Sequence, residues 1–119
     1  MLMRSPRPSG DEATRLPLFI ELSCPDADTL VVTPVGEADL CAVRPLRRAL
    51  AEATGAGRTH VVVDLDQLTF MDASILGVLV GARLRFSATG GTLRVRCRTH
   101  QGRRVLSITG LDGLLDDRA

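Results

Sequence analysis

The chain has 119 residues, 45% of them apolar and 24% charged, which suits one compact domain with a real core and leaves no room for a second. Its basic residues, all arginine, nearly balance its acidic ones at a formal charge of +1, so only a local charged patch is compatible with the composition, not a broad nucleic-acid or membrane surface. Aromatics at 3%, with no Trp or Tyr, leave little for base-stacking platforms or aromatic cages. The longest apolar runs fall well short of the ~20 residues that span a bilayer, and no secretory pattern opens the sequence. Cys24, Cys41 and Cys97 are odd in number and lack CxxC spacing. A soluble cytoplasmic protein is the expectation.

In chain order, residues 1–16 are rich in Pro, Ser, Gly and charge and read as a flexible tail, with the domain proper at 17–119. Leu18–Ser23 alternates as a strand, Cys24–Asp28 is turn chemistry, and Leu30–Val35 is a second strand. So short a connection implies an antiparallel hairpin. Gly36-Glu37-Ala38-Asp39 then opens a helical segment to about Thr54, with Leu40, Val43, Leu46 and Leu50 on one stripe. Asp39 is placed to cap it, while Pro45 delays the regular helix to near Val43. Val61–Leu65 is a continuous β-branched run, as in a strand buried on both faces. A loop carries Phe70 and Met71, and a second helix covers 73–88. Thr92–Cys97 is another strand, with Leu93, Val95 and Cys97 inward. Gln101–Thr109 forms a third helix, and Leu111–Leu115 a last strand or turn. The order predicts an α/β domain with a mixed four- to five-stranded sheet, an antiparallel opening hairpin, parallel helix-linked strands and three to four helices.

Chemistry is sparse in this sequence. No phosphate-cradling glycine loop follows a strand, and His60 and His100 have no Cys or His at metal-ligand spacing, so neither a cofactor nor a metal is expected. Cys41 reads as a small core residue rather than a nucleophile. The informative stretch is 68–81. Asp72 meets a helix start, where free amides and partial positive charge suit it as a cap and would also accept a phosphate on Ser74. Ala73, Gly77 and Gly81 recur every four residues. Interior glycines cost roughly 1 kcal/mol each in an exposed helix, which calls for close packing on the sheet or close approach of a partner.

Phe70-Met71-Asp72-Ala73-Ser74-Ile75-Leu76-Gly77 resembles the signature of bacterial anti-sigma-factor antagonists, the STAS-domain family. Gly36-Glu37-Ala38-Asp39, the Val61–Leu68 strand and turn, Gly90-Gly91-Thr92-Leu93 and Thr109-Gly110-Leu111 match further family landmarks in order. Together these cover about residues 17–115. The resemblance implies a switch rather than an enzyme. It would bind a serine-kinase anti-sigma factor of the GHKL type, free a sigma factor, and be released by phosphorylation at the start of the second helix. The implied contact residues are Glu37, Asp39, Asp72, Ala73, Ser74 and Gly77, with no direct nucleic-acid or membrane partner and a monomer or weak dimer as the assembly.

The sequence departs from the family pattern where the phosphate goes. The usual acceptor directly follows the Asp, and here that residue is Ala73. Ser74 is the remaining hydroxyl of the first turn and becomes the expected acceptor. Ile75 replaces the customary Gly. The alternative reading is a phosphorylation-independent STAS scaffold or subunit of a transport or signalling complex. A small enzyme working through Cys41 or His60 lacks a nucleophile–base pair or metal set in the sequence.

Overall fold

The computed structural model describes residues 2–4, 18–57 and 59–115. Strands β1 (Leu2–Arg4), β2 (Phe19–Ser23) and β3 (Thr29–Ala38) are followed by a short 3-10 helix (Leu40–Ala42) and α1 (Val43–Gly55). Then come β4 (His60–Asp64), β5 (Leu68–Met71), α2 (Ser74–Ala88), β6 (Thr92–Arg96), α3 (His100–Ile108) and a second 3-10 helix (Asp112–Leu114). Five strands lie in the order β1-β2-β3-β4-β6, and the sixth, β5, pairs with β3. The opening hairpin β2–β3 is antiparallel and the helix-linked pairs β3–β4 and β4–β6 are parallel, as the element order requires. Of the expected tail, residues 2–4 form β1 against β2; the rest of it lies outside the described residues.

Strand β3 is the organising element. Its first half pairs with β4, from Thr29–His60 to Val32–Val63. Its second half pairs with β5, from Gly36–Leu68 to Ala38–Met71. Between them the chain turns at Leu65–Gln67, where the Asp66 amide donates to Asp64 Oδ1 at 2.9 Å and the Leu68 amide to the Leu65 carbonyl at 3.2 Å. The Gly36 amide points to this edge and reaches the Gln67 carbonyl at 3.2 Å. Two residues earlier, by strand alternation, Pro34 faces the same turn, where β3 has no ladder partner and a missing N–H costs nothing. The register shifts between Gly36 and Glu37, and Gly36 takes a φ of 113°, a conformation side chains disfavour.

This arrangement corrects three expectations. Phe70 and Met71 lie in a strand, not a loop, and Thr69 lies there too, its hydroxyl donating to the Gly36 carbonyl at 3.2 Å. Gly36–Ala38 finishes β3 instead of opening a helix. The irregular turn before Val43 is real, but it places Leu40 in solvent at 71% exposure rather than on the core stripe.

One face of the sheet supplies Leu30, Val32, Val61, Val63, Leu93 and Val95 to the core. Against it pack α1, through Leu46, Ala49, Leu50 and Ala53, and α2, through Ile75, Leu76, Val78, Leu79, Ala82 and Phe86. The two helices also touch each other. Leu106 of α3 and Leu114 close the far side, where Leu115 bridges to Val95 on the outer edge of β6. The expected inward set Leu93, Val95 and Cys97 is buried, with Arg94 and Arg98 exposed.

Gly91 ends the α2–β6 connection under backbone constraint. A Cβ there would lie 2.6 Å from the Thr59 carbonyl oxygen. Because that carbonyl also accepts the Thr92 amide at 2.8 Å, it cannot move away freely. Gly91→Ala is expected to lower stability by about 1–3 kcal/mol in urea unfolding, the usual cost of overpacking. An unchanged midpoint would show that this connection is not tight.

Candidate functional site

The chain ends of β3 and β5 and the starts of α1 and α2 meet at one end of the domain. The link is a hydrogen bond from the Asp72 amide to the Ala38 carbonyl, 2.8 Å, which continues the β3–β5 ladder by one residue. Beside it Glu37 pairs in register with Phe70. Both turns out of the strands are capped by aspartate. Asp39 accepts the Cys41 amide at 2.9 Å at the head of the 3-10 helix, and Asp72 Oδ1 accepts the Ser74 amide at 2.8 Å at the head of α2. The Asp72 carbonyl takes the Ile75 amide at 3.0 Å, so Ala73 already has helical backbone angles. The hydrogen bond from the Ser74 amide holds the Asp72 carboxyl below the usual range.

All six residues expected at the site, Glu37, Asp39, Asp72, Ala73, Ser74 and Gly77, therefore fall at this end or on the first two turns of α2. Their presentation differs. Ala73 and Gly77 are exposed, while Glu37, Asp39, Asp72 and Ser74 are half-buried. Ser74 Oγ is shut away from solvent and has no hydrogen-bond partner at proper geometry. Position 73, which carries no hydroxyl, is the one facing out.

Gly77 settles the question raised by the small-residue stripe. A Cβ there would meet nothing within 4 Å, so the glycine is not needed for packing on the sheet. At Gly81 the nearest atom is the tip of Arg85, 3.6 Å away. From Ile75 to Ala82 helix α2 carries only apolar residues and glycine; Gly77 and Leu84, the latter 67% exposed, face outward, with Ala73 ahead of the helix and Arg83 and Arg85 exposed beyond.

Two apolar side chains that the sequence reading did not assign to the site belong to it. Leu40 is one and Phe70, 47% exposed, is the other. Phe70 was within the quoted signature, but its strand setting was hidden by the brevity of β5. Leu40 was masked by its helical spacing from Val43 and Leu46.

Elsewhere the chemistry is thin. Cys41 is exposed, not a core residue, and lies past the end of β3, while His60 starts β4 at the opposite end of the sheet and bonds Thr92 Oγ1 through Nδ1 at 2.8 Å. These two cannot form a nucleophile–base pair. A cavity of about 90 Å³ between β5 and α3, lined by Leu65, Leu68, Phe70, Met71, Cys97 and Val105, is far below the roughly 300–1,000 Å³ of small-molecule sites. Among the described residues no three His, Cys, Asp or Glu side chains could hold a metal ion, and no helix is long and apolar enough to cross a membrane.

The carboxyl of Asp72 gives this end a pH signature. Because its folded-state pKa is lowered, its contribution to stability is present above the unfolded value and is lost as pH falls through the folded one. Asp72→Asn should therefore flatten the acid limb of the stability profile below about pH 4, read by thermal unfolding. An identical acid limb would mean the carboxylate is not held by the helix start.

Comparison with known proteins agrees with this geometry. A family profile described as "Mlab, STAS domain" matches residues 25–116. The anti-sigma factor antagonist SpoIIAA in its unphosphorylated form is 26% identical, with a TM-score of 0.73 over 82% of this chain and 85% of that one. The Bacillus cell fate determinant SpoIIAA in the phosphorylated form is 26% identical, with a TM-score of 0.67 over 82% and 88%. An anti-sigma factor antagonist from Mycobacterium paratuberculosis shares the fold at 21% identity, with a TM-score of 0.74 over 82% of each chain. With a family profile spanning well over half the chain, this protein belongs to the STAS domain family.

Proposed function

We propose that this protein is an anti-sigma-factor antagonist: a cytoplasmic binding module, not an enzyme, that docks a serine-kinase anti-sigma factor of the GHKL type and so releases a sigma factor. The observation that carries the reading is Gly77, exposed on the first turns of α2 with open space where a Cβ would stand. An exposed interior glycine destabilises its helix and makes no contact inside the domain, so its use lies in letting another backbone approach. Ala73 and Ser74 stand one turn before it, Glu37, Asp39 and Asp72 lie where the strands end and the helices begin, and together they form the contact surface. The resemblance to SpoIIAA, known in unphosphorylated and phosphorylated forms, supports a partner that is also a kinase.

Phosphate, where the kinase adds it, goes to Ser74. A phosphoserine there carries about −1.5 to −2 charges into the interface and opposes docking by repulsion and desolvation. Yet Ser74 Oγ is buried, so the first turn of α2 must open before transfer. That burial, together with Ala73 at the outward position, favours a second reading: a STAS subunit of a transport or signalling complex that binds its partner without a phosphate switch.

Three measurements separate these readings. Calorimetry against the anti-sigma serine kinases of the same genome is expected to find one that binds, and a complete absence of binding sinks the antagonist reading. Mass spectrometry after incubation with that kinase and ATP should find slow phosphate incorporation, abolished in Ser74→Ala and accelerated in Ala73→Ser. If Ala73→Ser gains no phosphate, the scaffold reading takes over. Finally, Gly77→Ala should stabilise the fold by about 1 kcal/mol in urea while weakening partner binding about tenfold. Unchanged affinity would place the interface elsewhere.

A further inference from the structure

The near-neutral total charge conceals a local imbalance at the same end of the molecule. The solvent face of α1 carries Arg44, Arg47 and Arg48 in its first two turns, all exposed. The first turn holds no acidic residue. Among the described residues none of the three arginines is in an ion pair: the salt bridges join Arg96 to Asp64 and Arg98 to Asp66. Glu52, one turn beyond Arg48, is exposed and not paired with it. Asp39, just ahead of the helix, has its carboxylate turned to the Cys41 amide.

Cations at this position oppose the helix. The start of α1 already bears the partial positive charge of its unsatisfied amides, so arginine there is electrostatically unfavourable, and acidic residues would serve the fold better. No packing reason compensates, because these side chains point to solvent. Directly before them stands Leu40, 71% exposed, at the head of the 3-10 helix that leads from the Asp39 cap. Arg44 and Arg48 are one turn apart and so share a face.

We propose that the docking surface continues from the start of α2 onto α1 and takes an acidic segment of the protein partner. One apolar side chain of that segment seats on Leu40, and its carboxylates meet Arg44 and Arg48, with Arg47 flanking. Charge complementarity selects this occupant: guanidinium pairs bind carboxylates bidentately, and a protein segment can supply acid and apolar groups together. The proposal rests on the reading that a protein partner docks at the start of α2, and it adds the chemistry of that partner.

The test uses the full chain, isotopically labelled, titrated with a soluble helical peptide built from Glu and Leu. Amide shifts confined to residues 40–48, weakening as salt rises, are expected. They should vanish in Arg44→Glu/Arg48→Glu and with a control peptide carrying Gln in place of Glu. Thermal unfolding of the double variant should occur at the same temperature or higher, since the substitutions favour the helix start. Shifts located elsewhere, equal response to the Gln peptide, or tighter binding of a DNA duplex or phosphatidylglycerol vesicles at this face would overturn the proposal. A kinase that binds the wild-type chain should bind the double variant about tenfold or more weakly. If it binds the variant equally, the acidic-partner inference falls and the antagonist reading stands. If the peptide is recognised at Arg44 and Arg48 but no kinase binds, the patch stands and the antagonist reading falls.

Discussion

The end of this domain where both helices begin depends on a division of labour along one strand. β3 is ten residues long, and its second edge is shared between two partners in succession, β4 and then β5. Only because β5 resumes the ladder after the Leu65–Gln67 turn does the chain reach Ala38 again, where the Asp72 amide closes the last bond. That bond fixes where α2 begins. Since α1 also leaves from the end of β3, the backbone geometry of the two strands sets both helix starts, with their free amides and capping aspartates, beside each other, and the contact between the helices adds to it. A surface assembled in this way needs no buried polar network, and the core holds no buried polar or charged residue among those described.

The sheet and helices were largely legible in the sequence because their signals are strong. Val61–Val63 is a β-branched run, the hairpin is marked by Pro25 and its aspartates, and Pro45 with Gly55 brackets the first helix. The family was legible through a different channel, the ordered match to a signature around Asp72, and the candidate site follows from that match. What escaped notice has physical causes. β5 is four residues long and half exposed, so neither alternation nor a continuous apolar run could betray it. Leu40 sits at helical spacing from buried residues, but a 3-10 turn advances the chain by a different angle and swings it outward. Cys41 followed it into solvent for the same reason. The arginines of α1 were counted in the total charge, and a sum says nothing about where charges lie.

The first turn of α2 shows how a single position along a helix changes the meaning of a residue. Positions 73 and 74 differ by about 100° of rotation, enough to carry one to the surface and the other beneath it. A hydroxyl at the inner position is shut away from solvent, and Ser74 Oγ has no hydrogen-bond partner there. Such an unpaired group costs stability of order 1–3 kcal/mol when fully desolvated, which makes the first turn of α2 a locally weak point of the fold.

The outer strand β6 has a consequence for how copies of this protein behave together. Among the described residues, β6 has β4 on one side and only the bridge from Val95 to Leu115 on the other. An open edge of this kind ordinarily invites self-templating into extended fibres. Here Arg94, exposed, and Arg96, 3.5 Å from Asp64, share one face of the strand, so a second copy laid antiparallel and centred on Val95 would set arginine opposite arginine. Charge repulsion in that register works against edge-to-edge pairing of two copies.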